Sequence, residues 1–146
     1  MIKTPEVLLV DDNPADIDLT SEALARSKQQ LHVNVVNDGT DAMSFLRREG
    51  KYQEAPVPDL IVLDLNLPRR TGQEVLAALK TDPALAETPV VIFTTSEAKS
   101  DIIGSYELGA NCYFRKPGNL TEFVAVVQSM ADFWLGFAKL PRREKQ

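Results

Sequence analysis

Four places in this chain put acidic, hydroxyl or ammonium groups at the end of a short apolar run. Asp11 and Asp12 follow Val7-Leu8-Leu9-Val10, and Asp64 follows Leu60-Ile61-Val62-Leu63. Thr94 follows Val90-Val91-Ile92-Phe93, and Lys116-Pro117 follows Tyr113-Phe114-Arg115. Carboxylates gathered at one point repel, and their pKa values rise unless a cation offsets them. Mg²⁺ suits that role, being a hard, oxygen-seeking ion that keeps several waters beside one or two protein carboxylates. In this reading Asp12 and Asp64 are direct ligands, the backbone carbonyl of Asn66 is a third, and Asp11 acts through a metal-bound water. An aspartate can also serve as a nucleophile in phosphoryl transfer, forming an acyl phosphate. The transferring oxygens then need neutralising, a task open to Mg²⁺, the Lys116 ammonium and the Thr94 hydroxyl.

For these groups to meet, the segments that carry them must lie side by side. Short apolar runs bounded by turn residues read as buried strands, and their alternation with helix-length segments implies parallel βαβ units. In a parallel sheet all carboxyl ends share one edge, where ligands bind. The expected strands are Glu6 to Val10, Leu31 to Val36, Asp59 to Leu63, Val90 to Thr94 and Asn111 to Arg115. Leu31 to Val36 alternates apolar and polar residues, as an edge strand does. Asn13-Pro14 is a helix start, a cap residue followed by proline at the first helical position, and that helix is expected to run to about Lys28. Asp38-Gly39 opens a second helix with Ala42, Phe45 and Leu46 inward. Gly50 to Pro58 is a polar loop. A turn at 67–72 precedes a third helix carrying Val75, Leu76 and Leu79. A fourth helix runs from about Lys99 to Leu108 before Gly109, and Asn119 caps the last. Five strands alternating with five helices predict an α/β, doubly wound parallel sheet.

Composition narrows the function. The 146 residues fit one domain with a full core, about residues 5–130, with a helical extension and tail over 131–146. The net charge of −5 argues against a nucleic-acid-binding face. No run approaches the ~20 apolar residues of a membrane helix, and the N-terminus lacks the apolar core of a secretory signal. Cys112 is the only cysteine and His32 the only histidine, which excludes an internal disulfide and a multi-histidine metal site. A cytoplasmic location is expected.

Each residue also has a plainer reading. An Asp after an apolar strand is usually a turn or cap residue, a Thr there a β-former, and a Lys-Pro a turn. The coincidence of all of them at strand ends outweighs these readings. Asp38, Asp59 and Asp101 fit no such pattern and are expected to be caps or surface charges. Two rival functions lack residues they need. A haloacid-dehalogenase-like phosphatase would need a second Asp two residues after the nucleophile, where this chain has Asn66. A flavodoxin-like cofactor binder would need a Gly-rich phosphate loop, and Asp11-Asp12-Asn13-Pro14 instead repels phosphate.

Taken in order, Asp11-Asp12, Asp64 with Asn66, Pro68-Arg69-Arg70-Thr71-Gly72, Thr94, Gly109-Ala110 and Lys116-Pro117 resemble the receiver domain of two-component response regulators, over roughly residues 5–130. The resemblance implies a flavodoxin-like fold of strand order 2-1-3-4-5 and a signalling module rather than an enzyme. It implies phosphate transfer from a sensor histidine kinase to Asp64, Mg²⁺ held by Asp11 and Asp12, and Thr94 and Lys116 on the phosphoryl group. Tyr113 matches the aromatic switch position coupled to Thr94. Two residues depart from the pattern: Thr95 stands where Ala or Gly is usual, and Gly118 where a bulky apolar residue often follows Lys-Pro. The loop before strand three, Thr94-Thr95-Ser96 and the ending Asp132-Phe133-Trp134-Leu135 look like the stand-alone regulators paired with bacterial and cyanobacterial phytochromes.

The last helix carries more apolar surface than one sheet face needs. Leu120, Phe123, Val124, Val127, Ala131 and Trp134 form an inward stripe. Val126, Met130, Phe133 and Phe137 form a second line beside it. The plainer reading of that second line is a long helix whose end folds back on its own domain; the functional one, preferred here, is a partner surface, most simply of a twofold homodimer.

Overall fold

The computed structural model describes residues 4–141. The chain forms a five-stranded parallel sheet in the order β2-β1-β3-β4-β5. The strands are β1 (Glu6–Val10), β2 (His32–Val36), β3 (Leu60–Leu63), β4 (Val90–Thr94) and β5 (Cys112–Arg115). The helices are α1 (Pro14–Ala25), α2 (Gly39–Arg47), α3 (Gly72–Thr81), α4 (Lys99–Glu107) and α5 (Leu120–Ala131). This is the expected doubly wound order, with β2 and β5 at the edges. Of the tail 141–146, expected to be solvated, Pro141 is exposed and residues 142–146 lie outside the described residues.

Strand alternation divides the core into two halves. Leu8, Val10, Ile61, Leu63, Val90 and Ile92 face one side, where α2 and α3 supply Ala42, Met43, Phe45, Leu46, Val75, Leu76 and Leu79. Val7, Leu9, Leu60, Val62, Val91 and Phe93 face the other side, under Ala23 and Leu24 of α1 and Phe123, Val127, Met130 and Ala131 of α5. The three inner strands are buried on both faces, as continuous apolar runs in a parallel sheet must be.

The helix starts follow their caps. Asn13, Asp38 and Asn119 each accept a backbone N–H from the first turn of α1, α2 and α5. Thr71 and Glu74 form a reciprocal capping box on α3. Asp38 is therefore a cap, as expected, and Asp59 accepts the Glu6 N–H at 2.8 Å. Helix α1 stops at Ala25 rather than Lys28. There the Ser27 hydroxyl bonds the carbonyl and the N–H of Gln29, a local alternative to another helical turn. The loop 50–58 contains one 3₁₀ turn, Gly50–Tyr52, whose Tyr52 ring packs on Phe45.

The end of the chain departs most from expectation. Met130, assigned to the second line of α5, is 2% exposed and lies in the core, and Val126 is half-buried against the same cluster. Met130 stands three residues after Val127 and seven after Phe123, so the inward stripe includes it. Leu120, assigned to the inward stripe, is instead 64% exposed at the first position of α5. Beyond Ala131 the chain continues as a π-helical segment, Asp132–Phe137, with Ala138 donating to the Phe133 carbonyl five residues back. Of the expected interface line, Phe133 and Phe137 stand in solvent, 55% and 80% exposed.

Candidate functional site

The sheet ladder itself brings the predicted residues to one edge. The Asp11 N–H donates to Val36, the Asp64 N–H to Val10 and the Lys116 N–H to Thr94, so each lies just beyond its strand but within the ladder. Asp11, Asp64 and Lys116 stand two residues after Leu9, Val62 and Phe114, which all belong to the α1/α5 side of the core. A period of two therefore aims all three side chains to that side. Gly72 lets α3 begin hard against this edge: a Cβ there would meet the Asp64 carbonyl oxygen at 2.2 Å.

The Lys116 ammonium is the centre of the cluster. Its Nζ donates to Asp11 Oδ2 at 2.7 Å, to Asp64 Oδ2 at 2.8 Å and to Asp16 Oδ2 at 2.9 Å. Lys116, Asp11 and Asp64 are buried, and Nζ also lies 5.8 Å above the Phe93 ring. The remaining oxygens are tied down by backbone: Asp11 Oδ1 accepts from the Asn13 N–H, and Asp64 Oδ1 from the Asn66 N–H. Burial pulls the lysine toward neutrality, but its bonds to Asp11 and Asp64 outweigh burial and hold its pKa above the ordinary value. For Asp11 the balance reverses. Burial lifts its carboxyl above the ordinary value despite the opposing bonds from Lys116 and Asn13.

Asp16 is the residue that the strand-end pattern did not single out. It is the third residue of α1, anchored by its N–H to Asn13 Oδ1, and it reaches the cluster because α1 covers the side that Asp11, Asp64 and Lys116 face. The signal was available in the two-residue alternation, once α1 is known to cover that face.

Thr94, at the end of β4, is buried, and its Oγ1 has no hydrogen-bond partner among the described residues. A buried hydroxyl without an acceptor is costly, so such a group marks a place for an incoming oxygen. By alternation Thr94 points to the α2/α3 side, the side on which Tyr113 packs. Tyr113 is half-buried there, and its hydroxyl donates to the Ser96 carbonyl at 2.9 Å in the loop after Thr94. Ser96 in turn donates to Asp101, which lies in the first turn of α4. The two expected switch residues are thus joined through two residues of loop, Thr95 and Ser96.

Three carboxylates around one ammonium leave an excess of negative charge, and the exposed carboxyl of Asp12 adds to it. Among the described residues no three acidic, histidine or cysteine side chains form a metal-holding group by themselves. Mg²⁺ does not require one, since one or two carboxylates with waters suffice. The donor set therefore fits a hydrated divalent ion, for which Asp11, Asp12, Asp64 and Asn66 would supply the oxygens.

Comparison with known proteins agrees with this geometry. The response regulator receiver domain family matches residues 7–128. Response regulator Rcp1 of Synechocystis sp. is 45% identical over 135 residues, 92% of either chain. The phosphorylated cyanobacterial phytochrome response regulator RcpA superposes with a TM-score of 0.93 at 48% identity, over 96% of this chain and all of that one. The Mn²⁺-bound form of Rcp1 superposes with a TM-score of 0.91 at 44% identity, over 94% and 99% of the two chains. With its sheet order, its strand-end carboxylates and its lysine in place, this chain belongs to the response regulator receiver family.

Proposed function

We propose that Asp64 accepts a phosphoryl group from the phosphohistidine of a sensor histidine kinase, and that residues 1–146 act as one receiver domain in a phosphorelay. The observation that best supports this reading is the buried Lys116 ammonium bridging Asp64 and Asp11. In the transfer an Asp64 carboxylate oxygen attacks phosphorus and the P–N bond breaks. The electron pair leaves with the imidazole, and Asp64 becomes an acyl phosphate. Little covalent work remains for other residues, so positioning and charge carry the rate. Lys116 neutralises oxygens on the transferring group, and the Thr94 hydroxyl donates to another. Mg²⁺, when bound, supplies further positive charge to those oxygens; Asp12, Asp64 and the Asn66 carbonyl would hold it, with Asp11 acting through water. A Thr94 drawn toward phosphate would pull the loop to Ser96 and with it Tyr113.

The kinase we propose is of the phytochrome type, because RcpA, a phytochrome response regulator, is so similar over the full chain. We place the pair in the cytoplasm, a location that suits the free Cys112; no helix among the described residues is long and apolar enough to cross a membrane. Radiolabelled transfer from an autophosphorylated phytochrome-type kinase tests this. Label is expected to pass to the chain within seconds to minutes in millimolar Mg²⁺ and to stay on the kinase in EDTA. Label that never leaves that kinase, while acetyl phosphate labels the chain, would remove the phytochrome-type partner.

A homodimer is a second proposal, supported by Phe133 and Phe137 in solvent next to the edge-to-face pair of Phe133 and Trp134. Burying each exposed ring is worth about 1.5–3 kcal/mol, enough for a symmetric pair to hold two copies together. Phe133→Asp would bury an unpaired charge in that contact. Sedimentation at micromolar concentration is expected to show a parent dimer and a folded Phe133→Asp monomer. A parent that stays monomeric with and without acetyl phosphate would contradict it.

A further inference from the structure

The loop that joins β3 to α3 breaks two local rules at once. Arg69 stands at φ 69°, in the left-handed region that favours glycine or asparagine. The Arg70 N–H closes a three-residue turn around it by donating to the Pro68 carbonyl at 2.9 Å. Arg69 and Arg70 also lie just ahead of Thr71, the cap of α3, where the positive end of the helix disfavours cations. The fold nonetheless makes room for both. The Gly39 N–H donates to Pro68, and a Cβ on Gly39 would run into the Arg70 carbonyl. Backbone strain that the surroundings hold in place marks a functional segment.

The position of this loop says what the arginines meet. Arg69 is three residues from Gly72, which abuts the Asp64 carbonyl, so its backbone lies within about 11 Å of that contact. There the charge balance runs against the reaction. Asp11, Asp12, Asp16 and Asp64 are set against one ammonium, and a negative charge is left over even when a divalent ion is bound. A phosphoryl donor is a dianion at neutral pH, so this edge repels it. Arg69 offsets that field. Its side chain is 67% exposed, and its contact with Asp38 is loose, at 3.9 Å. The pairing does not cancel the effect, because loss of Arg69 leaves Asp38 to add its charge to the same edge.

We propose that Arg69 is a specificity-determining residue that steers dianionic phosphoryl donors to Asp64. It acts through its charge on the encounter, not through contact with the reacting atoms. This rests on the reading of Asp64 as the phosphoacceptor.

The initial rate of phosphate uptake from dilute acetyl phosphate, read by intact mass at saturating Mg²⁺ across a salt series, tests it. At roughly 0.02 M ionic strength, where the Debye length is roughly 20 Å, Arg69→Asn is expected to be about threefold slower than the parent. Asparagine tolerates the positive φ, so the turn survives. Arg69→Glu reverses the charge and is expected to be about tenfold slower, and Arg69→Lys to stay within about 1.5-fold of the parent. At roughly 1 M salt, where the Debye length is about 3 Å, all three are expected to converge on the parent. Arg26→Gln removes an exposed charge at the far end of α1 and is expected to change little at either salt. Transfer from an autophosphorylated histidine kinase is expected to rank the variants in the same order. An Arg69→Asn rate equal to the parent's at low salt, a deficit that persists at high salt, or a Lys variant as slow as Asn would overturn the steering. So would an equal deficit in Arg26→Gln, or a deficit with the kinase alone, which would mark a contact with the kinase surface instead. Those outcomes leave Asp64 as the phosphoacceptor, whereas a parent that takes up no phosphate from either donor would overturn both.

Discussion

Asp64→Asn is expected to take up no measurable phosphate and to unfold at the same or a higher temperature than the parent. Asparagine fills the same volume and keeps an oxygen to accept the Asn66 N–H, so the turn after β3 survives. It also removes one of three carboxylates crowded on a single ammonium, which relieves repulsion. The lost nucleophile should slow phosphate uptake by roughly 10⁴-fold or more, the scale at which catalytic nucleophiles act. Intact mass after incubation with acetyl phosphate reads the first effect and thermal unfolding the second. A variant that is inactive because it is unfolded would fail the second reading.

Lys116→Met has the opposite effect on stability. Methionine keeps much of the volume but leaves Asp11 and Asp64 buried without their cation. Breaking a buried pair from one side costs about 3–5 kcal/mol. That is a large share of the roughly 5–15 kcal/mol that holds a domain together. The loss should depend on conditions in a definite way. Burial already lifts the Asp11 carboxyl, and Lys116 is the main group opposing that lift. Without Lys116 the carboxyl rises further. An acid whose pKa is raised by folding gains stability as pH falls through that value, so the variant should recover part of its loss on going from pH 7 to about pH 5. Millimolar Mg²⁺ should recover part as well, by supplying the missing positive charge. In the parent Lys116 adds no acid-side response of its own. A lysine raised by folding keeps its contribution until strongly alkaline pH. Urea unfolding with and without Mg²⁺ checks this, and a variant as stable as the parent at pH 7 would contradict it.

Most of the sheet edge was legible in the sequence because apolar runs and strand ends are local signals. Leu60-Ile61-Val62-Leu63 can be buried on both faces only as an inner strand, and the residue after it must emerge at the carboxyl edge. Asp11, Asp64, Thr94 and Lys116 follow from that alone. Asp16 did not, because its role depends on which face α1 covers, a fact of the crossovers rather than of any one segment. The ending of α5 was misread for a different reason. A helical stripe drawn at constant pitch assigns Val126, Met130, Phe133 and Phe137 to one line. The chain instead puts Met130 in the core, then widens into a π-helical turn that presents Phe133 and Phe137 outward. Helix phase is set by packing against the sheet, and a one-dimensional period cannot carry it.

The most direct measurement is the mass of the intact protein after incubation with acetyl phosphate and Mg²⁺, followed by localisation of the added group. One phosphoryl group is expected, released by hydroxylamine as an acyl phosphate must be, absent in EDTA, and mapped to the peptide that contains Asp64. No mass gain, a gain that resists hydroxylamine, or an equal gain in Asp64→Asn would contradict Asp64 as the phosphoacceptor.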